Sequence, residues 1–391
     1  MMTGTRSERT GPLDAIAFAG MFVFGIVMAL LGAVMPVVSS RLSLGLGDVG
    51  TLFLVTNASM LAASLLIGPA IDRFGMKAPL ALGSVLVAVA LVSIAAASQF
   101  ANLLAAVVAL GFGGGALNAS TNTLVADLHD DPEKKAAALN LLGVFFGFGA
   151  LMLPFTIGAL LSRAGFGGVM TATAGLCAAT GLLALVLRFP APKQARGWPL
   201  ADMRRFIRMP LVLTLAFLLF FQSGNEFLLG GYFATFLTQE LTVPVERASY
   251  LLAAYWAAIM VSRLLLSRVL LRLGPDRIVL GSALAAAAGA LIVGSADSTS
   301  VALTGILITG MALAGIFPTV LGVAGAAFRD HSGTVFGILF TVALTGGMTM
   351  PWLAGHLAAS TGLRNVFLLA AGNFVMIAGL SGLSRRAQAR A

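Results

Sequence analysis

The sequence predicts an all-α integral membrane protein whose twelve transmembrane helices form two pseudo-symmetric six-helix bundles. Three observations carry that expectation. The 391 residues are 59% hydrophobic and only 10% charged, whereas a soluble domain carries roughly 25% charged residues. Twelve apolar runs are each long enough to cross a bilayer, for which about 20 residues suffice. Two short motifs also recur half a chain apart. Arg73-Phe-Gly75 returns as Arg272-Leu-Gly274 after 199 positions, and Pro154-x-x-x-Gly158 returns as Pro351-x-x-x-Gly355 after 197.

Charged or Gly/Pro-containing stretches delimit the runs. The first, 14–38, outlasts the apolar core of a secretory signal and continues to Pro36, so no cleavable signal is expected. The second, 47–70, ends in the charged turn Asp72 to Lys77, and the third follows at 78–97. The fourth, 101–125, contains Gly111-Phe-Gly-Gly-Gly115; in mid-span this reads as close helix packing rather than a phosphate loop. Asp127 to Lys135 is then a solvated loop with Pro132 as breaker. Spans five and six, 136–161 and 168–188, carry Pro154 and the single cysteine, Cys177. One cysteine excludes a disulfide within the chain, and with His129, His331 and His356 far apart no metal site is expected. A basic linker, 188–210, holds Pro190, Pro192 and Pro199 and separates a first bundle, 1–187, from a second, 211–391. The second bundle contains runs at 210–237, 247–271, 277–295, 300–327, 333–357 and 362–384.

Basic residues orient the chain. Of the 24 lysines and arginines, Arg263 lies within a span and only Arg41, Arg163, Arg247 and Arg364 fall on one face. The remaining nineteen fall on the other face, which is therefore cytoplasmic, with both termini. The net charge of +9 is thus a topology signal with anionic lipid as its neighbour, and no nucleic-acid partner is expected. Nor is an enzyme: there is no Ser/His/Asp or paired-carboxylate constellation, and no extramembrane segment long enough for a catalytic domain.

Polar groups buried among helices must be paired or must line water. From Met209 to Thr238 the only ionisable side chain besides Tyr232 is Glu226. Gln222 and Glu226 share a helical face, with Asn225 on the adjoining edge; Asn118 and Asn122 share another. Tyr255 and Trp256 lie in the eighth span, with Arg263 seven residues beyond Trp256. Amides, a carboxylate and aromatic rings suit a polyhydroxylated ligand, whose hydroxyls they bracket and whose C–H face they stack on. Asn118, Asn122, Gln222, Asn225, Glu226, Tyr255 and Trp256 are accordingly the candidate substrate-binding residues. Glu226 is also the candidate for proton coupling, its alternative being a paired structural acid. Arg263, near the end of its span, reads as a gate or latch.

The turn Gly68-Pro-Ala-Ile-Asp72-Arg73-Phe-Gly75-Met-Lys77 resembles the signature loop of the major facilitator superfamily, Gly-x-x-x-Asp-Arg-x-Gly-x-Lys/Arg. The resemblance implies the major facilitator fold and a substrate site between two rocking bundles near mid-membrane. It also implies a conformational latch in which Asp72, Arg73 and Lys77 meet an acidic residue ending the fourth span, here Asp127. Within the superfamily several stretches resemble the fucose:proton symporter branch. They are Gly114-Gly-Ala-Leu-Asn118-Ala-Ser-Thr-Asn122, Ala138-Leu-Asn140-Leu, Gly224-Asn-Glu226, Ser262-Arg263-Leu-Leu-Leu-Ser-Arg268 and Gly315-Ile-Phe-Pro318-Thr. Two positions depart from that branch: Gly32 stands where its symporters carry an aspartate and Asn118 where they carry a glutamate. The multidrug-antiporter signature of the fifth span is represented only by Gly147, Gly149 and Pro154.

The expectation is a monomeric, multi-pass permease of the cytoplasmic (plasma or inner) membrane. It moves a small polar solute, a sugar above all, by alternating access and with no cofactor; symport with a proton, symport with sodium and uniport all stay open. Efflux of amphipathic, drug-like compounds is the alternative.

Overall fold

The computed structural model describes residues 7–129, 131–190, 205–269, 274–328 and 331–388. Linker residues 191–204, Arg272 of the second repeat motif, and the side chain of Asp72 lie outside the described residues. Twelve helical segments are found among them: α1 (Ser7–Leu42), α2 (Leu46–Phe74), α3 (Lys77–Ala96), α4 (Phe100–Leu128), α5 (Pro132–Val186), α6 (Pro210–Gln239), α7 (Val245–Val269), α8 (Pro275–Gly294), α9 (Thr299–Leu313), α10 (Ile316–Ala327), α11 (Ser332–Thr361) and α12 (Arg364–Gln388). Eleven stretches are long and apolar enough to cross a membrane, one of them the 50-residue Ala137–Val186. That stretch is two spans. Gly165, at φ +66° and ψ 169°, breaks α5, and Gly362, which separates α11 from α12, has nearly the same backbone at φ +96° and ψ 157°. Conversely α9 and α10 divide a single apolar run at Ala314–Gly315.

Gly165 and Gly362 are 197 positions apart, and the same offset recurs in the packing. A Cβ on Gly149 of α5 would collide with the Phe22 carbonyl of α1; a Cβ on Gly346 of α11 would collide with the Phe220 carbonyl of α6. The turn after α1 places Ser43 at φ +53°, and the turn after α6 places Thr242 at φ +50°, 199 positions on. Each turn is closed by a backbone bond, Leu44 N–H to Ser39 O at 3.0 Å and Val243 N–H to Leu237 O at 2.9 Å. Between α3 and α4 a Cβ on Gly83 would lie 3.0 Å from Gly113 O, and between α8 and α9 one on Gly289 would lie 2.7 Å from Gly305 O. Small residues that let backbones approach are how membrane helices associate where lipid removes the hydrophobic drive.

The chain divides into two compact units. One comprises residues 1–33 and 58–196; the other comprises Val34–Asn57 and residues 197–391. In the first, α3 packs on α4 and α5. In the second, α6 packs on α11 and α12, α8 on α9 and α12, and α7 on α9. The borrowed segment Val34–Asn57 belongs to the second unit by close contact: a Cβ on Gly50 would lie 2.9 Å from Trp352 O, and the Phe53 ring meets that of Tyr232 at a tilt, with centroids 5.9 Å apart. Tyr232 in turn donates to Pro351 O at 2.9 Å, one of the carbonyls near the α11 proline. Arg364 clamps one end of this unit, with Nη2 2.8 Å from Asp297 Oδ1 and Nε 3.8 Å from Glu240 Oε2. Leu82, Val85, Leu86, Val89 and Val92 of α3 are exposed. In lipid such a stripe faces its own solvent, so each unit is finished by acyl chains rather than by water.

Candidate functional site

α6 is the helix around which the second unit is built, since every residue from Gly224 to Leu237 is buried. It presents different faces to different neighbours. Gln222, Glu226 and Gly230, each four apart, form the face toward α7. There Gln222 Nε2 donates to Glu226 Oε2 at 2.9 Å, and Arg263 Nη2 lies 3.6 Å from Glu226 Oε1. Gly230 leaves room for two rings: a Cβ there would sit 3.1 Å from Trp256 Cζ2 and 3.7 Å from Tyr255 Cε1. The rings meet edge to face with centroids 5.4 Å apart. Tyr255 lies in the field of both Glu226 and Arg263.

The electrostatics of this face are unfinished. Glu226 is 7% exposed, while the Arg263 side chain keeps 30% of its surface open. Three buried donors on this face have no hydrogen-bond partner among the described residues: Tyr255 Oη, Trp256 Nε1 and Arg263 Nε. A buried polar group left unmade costs about 1–3 kcal/mol, and three of them on one face give it donors that the described side chains do not meet.

A second face of α6 points to α12. Asn225 Nδ2 donates to Ala370 O at 2.9 Å and Asn225 Oδ1 accepts from Asn373 Nδ2 at 2.9 Å. Its amide is thereby occupied in holding two helices together rather than facing the α7 cluster. Replacing Asn373 with leucine should therefore lower the melting temperature without changing which solutes bind. Interhelical hydrogen bonds in membranes are worth about 0.6 kcal/mol on average and reach about 1.7. A thermal-melt series on Asn373→Leu and on the double variant with Asn225→Leu checks this, the double variant recovering part of the loss. The third face carries Phe220, Gly224, Phe227 and Gly231, against Gly346, Met350 and Gly347 of α11 and Phe53 of α2.

In the first unit Asn122 Nδ2 donates to Asn118 O at 2.8 Å and to Asn118 Oδ1 at 3.0 Å, so the two amides form one half-buried pair on α4. Ser120 and Thr121 turn back to the carbonyls of Ala116 and Leu117 at 2.6 and 2.8 Å.

In the loop that carries the residues expected to latch, Gly75 at φ +81° ends α2, its N–H bonded to Ile71 O at 2.8 Å. Arg73 is exposed, its Cζ 5.2 Å above the Phe74 ring. Lys77 opens α3 and Asp127 lies in the last turn of α4, both half-buried. Arg263 pairs with Glu226, with Nη2 3.6 Å from Oε1.

Three polar residues escaped the sequence reading. Asn373 sits in the middle of an apolar run, the same signal that singled out Glu226. Asn57, 1% exposed, leaves its Oδ1 without a partner near Gly347. Asp14 meets His129 Nε2 at 3.1 Å, joining the start of α1 to the end of α4; nothing in the spacing of the two, 115 positions apart, announces the pair.

Comparison with known proteins places these features. The family model described as Major Facilitator Superfamily matches residues 17–224 and 215–386. An uncharacterized MFS-type transporter of Yersinia pestis is 22% identical over 354 residues, 88% of this chain and 89% of that protein. The probable vesicular acetylcholine transporter-A of Danio rerio is 30% identical over 149 residues, 38% of this chain and only 29% of the relative's length. Among solved structures, that of a D-xylose-proton symporter superposes with a TM-score of 0.81 at 14% identity, covering 95% of this chain and 97% of that one. The E. coli fucose:proton symporter does so with a TM-score of 0.65 at 18% identity, covering 95% and 98%. At such identities these likenesses concern the fold.

Proposed function

Since the chain belongs to the Major Facilitator Superfamily, we propose that it carries a small polar solute, a sugar or close relative, across the cytoplasmic membrane by alternating access. The observation that supports this most is the α7-facing side of α6. A carboxylate, an amide and a guanidinium come together there beside two aromatic rings, with three donors unmet. Hydroxyls satisfy such donors, and Trp256 and Tyr255 offer faces for the C–H side of a sugar ring. The Asn118–Asn122 pair of the first unit is also assigned to solute, its two amides offering donors and acceptors to hydroxyls.

Glu226 is the group we assign to proton coupling; neither Gly32 nor Asn118 can ionise. We also assign both termini to the cytoplasm, a reading that the distribution of basic residues supports, and propose that the protein works as a monomer. Asp72, Arg73, Lys77 and Asp127 are assigned to the latch that holds one conformation.

The test is solute counterflow in liposomes containing the purified protein, across sugars, sugar acids, polyols and lipophilic cations, at varied pH and sodium. Exchange of sugars or their relatives is the expected result. Exchange confined to lipophilic cations would replace this reading with efflux of amphipathic compounds.

A further inference from the structure

The α7-facing side of α6 is short of acceptors, and that imbalance narrows the solute. Its donors are Gln222 Nε2, Tyr255 Oη, Trp256 Nε1 and the whole guanidinium of Arg263. Its acceptors among the described residues are the Glu226 carboxylate and Gln222 Oε1, and the latter already receives Ser223 Oγ at 3.4 Å. One carboxylate oxygen already receives Gln222 at 2.9 Å. The other stands 3.6 Å from Arg263 Nη2, outside hydrogen-bond range for an N–H donor. Arg263 Nε is buried without any acceptor. Arginine offers five donors in a planar fork that fits a carboxylate bidentately, and here that fork is met only loosely. A hydroxyl brings a donor with every acceptor it supplies. A carboxylate brings acceptors alone, which is what three orphaned donors and an under-coordinated guanidinium call for.

Resting on the reading of this face as the solute site, we propose that the solute is a carboxylate-bearing polyol, a sugar acid, and that it displaces Glu226 from Arg263. The charge count then dictates the coupling. Before binding, the buried pair is one guanidinium and one carboxylate. The incoming carboxylate takes the guanidinium, and Glu226, stripped of its counter-charge, takes one proton from the aqueous phase that is open at the time. The bound state again holds one positive and one negative charge, so a reorienting protein carries no net charge inward from this site. Release reverses both events: the solute leaves as its anion, the proton leaves Glu226, and Arg263 returns to it. No covalent bond changes.

The surroundings of Glu226 permit this exchange. Tyr255 and Arg263 of α7 are the titratable and charged groups that face it. The neighbouring contacts that α11 and α12 make with α6 run through Gly346, Gly347, Met350, Ala370 and Asn373, none of which ionises. The half-open edge of Arg263 is the route by which an anion arrives without first unpacking the helix pair.

The experiment uses the purified full chain in liposomes and matched probes: glucose with gluconate, galactose with galacturonate, xylose with xylonate, fucose with fuconate. Thermal shift and counterflow are measured for each, with internal pH and membrane potential recorded together. At least one acid should outperform its neutral partner by about tenfold or more, the discrimination reached when a buried polar site rejects a solute lacking its partner group. Its uptake should acidify the lumen without responding to a clamped potential. Arg263→Lys should retain part of the exchange and Arg263→Gln about a hundredth or less, since the fork geometry and the charge are both lost. Glu226→Gln should reduce proton-driven accumulation about tenfold more than it reduces counterflow. Neutral sugars that match or beat their acids in every pair would overturn the sugar-acid assignment while leaving the sugar-transport reading intact. Response to lipophilic cations alone would overturn both, and silence toward every probe pair would overturn the assignment as well.

Discussion

With valine in place of Gly346, the second unit is expected not to assemble. A Cβ at this position would lie against the carbonyl oxygen, carbonyl carbon and Cα of Phe220. All three are backbone atoms of a helix, so no side chain can rotate away. Relief must come from moving α11 off α6, and that separation also opens Gly224 from Met350 and Gly347 from the Phe227 ring. Overpacking a site whose neighbours can adjust costs about 1–3 kcal/mol; here the adjustment is a whole helix seam, and the cost runs beyond that range. The expected measurement is loss of the monodisperse peak in detergent, or a melting temperature lowered by ten degrees or so. Gly149→Val, at the equivalent crossing against Phe22, should do the same to the first unit. Gly372→Ala is the control: nothing lies within 4 Å of a Cβ there, and the melt should hardly move. A monodisperse Gly346→Val protein melting near the parent value would mean that the α6–α11 crossing is looser than described.

The second large effect is on transport. Glu226→Leu should reduce uptake about a hundredfold or more while leaving a folded protein, because the group meeting both Gln222 and Arg263 is gone. Removing one partner of a fully buried ion pair costs about 3–5 kcal/mol. Arg263 is 30% exposed, so it can turn its head toward water along its own aliphatic stem, and the stability loss should be a fraction of that figure. Parallel readouts separate the two consequences: uptake into liposomes against elution profile and melting temperature. Glu226→Gln preserves the shape and a hydrogen bond to Gln222 should the leucine variant fold poorly. Wild-type uptake by both variants would remove Glu226 from the solute site.

Much of the fold is written in the chain because its signals are local. A run of apolar residues about 20 long needs no partner to be recognised, and charges mark where each run stops. The duplication was readable too, from Pro154 and Pro351 and the turns beginning Arg73 and Arg272. The break between the fifth and sixth runs was legible to within a few residues, between 161 and 168; that Gly165 is the residue that turns shows only in its backbone, matched by Gly362. The site is less legible, since periodicity assigns a residue to a face but does not say which neighbour that face meets. Gln222 and Glu226 share a stripe as their spacing suggests. Asn225, one position away, belongs to α12 because a rotation of 100° moves it to another neighbour. Arg263 looked like a helix-end charge from its distance to the end of its run; the register of α7 against α6, which no spacing encodes, brings it to Glu226. Asn118 and Asn122 pair along one helix, a relation their spacing of four contains in full.

The loan of Val34–Asn57 to the second unit changes how the protein can be dissected. Residues 191–204 look like the natural place to cut, but severing them would give a C-terminal fragment without Phe53 against Gly231 and without Gly50 against Trp352. Tyr232 would lose its ring neighbour, and an apolar notch would stand open in any isolated fragment. Two co-expressed pieces, by contrast, carry the missing segment between them. Any division of the protein is therefore to be tried as a co-expressed pair, because its seam is not where its linker is.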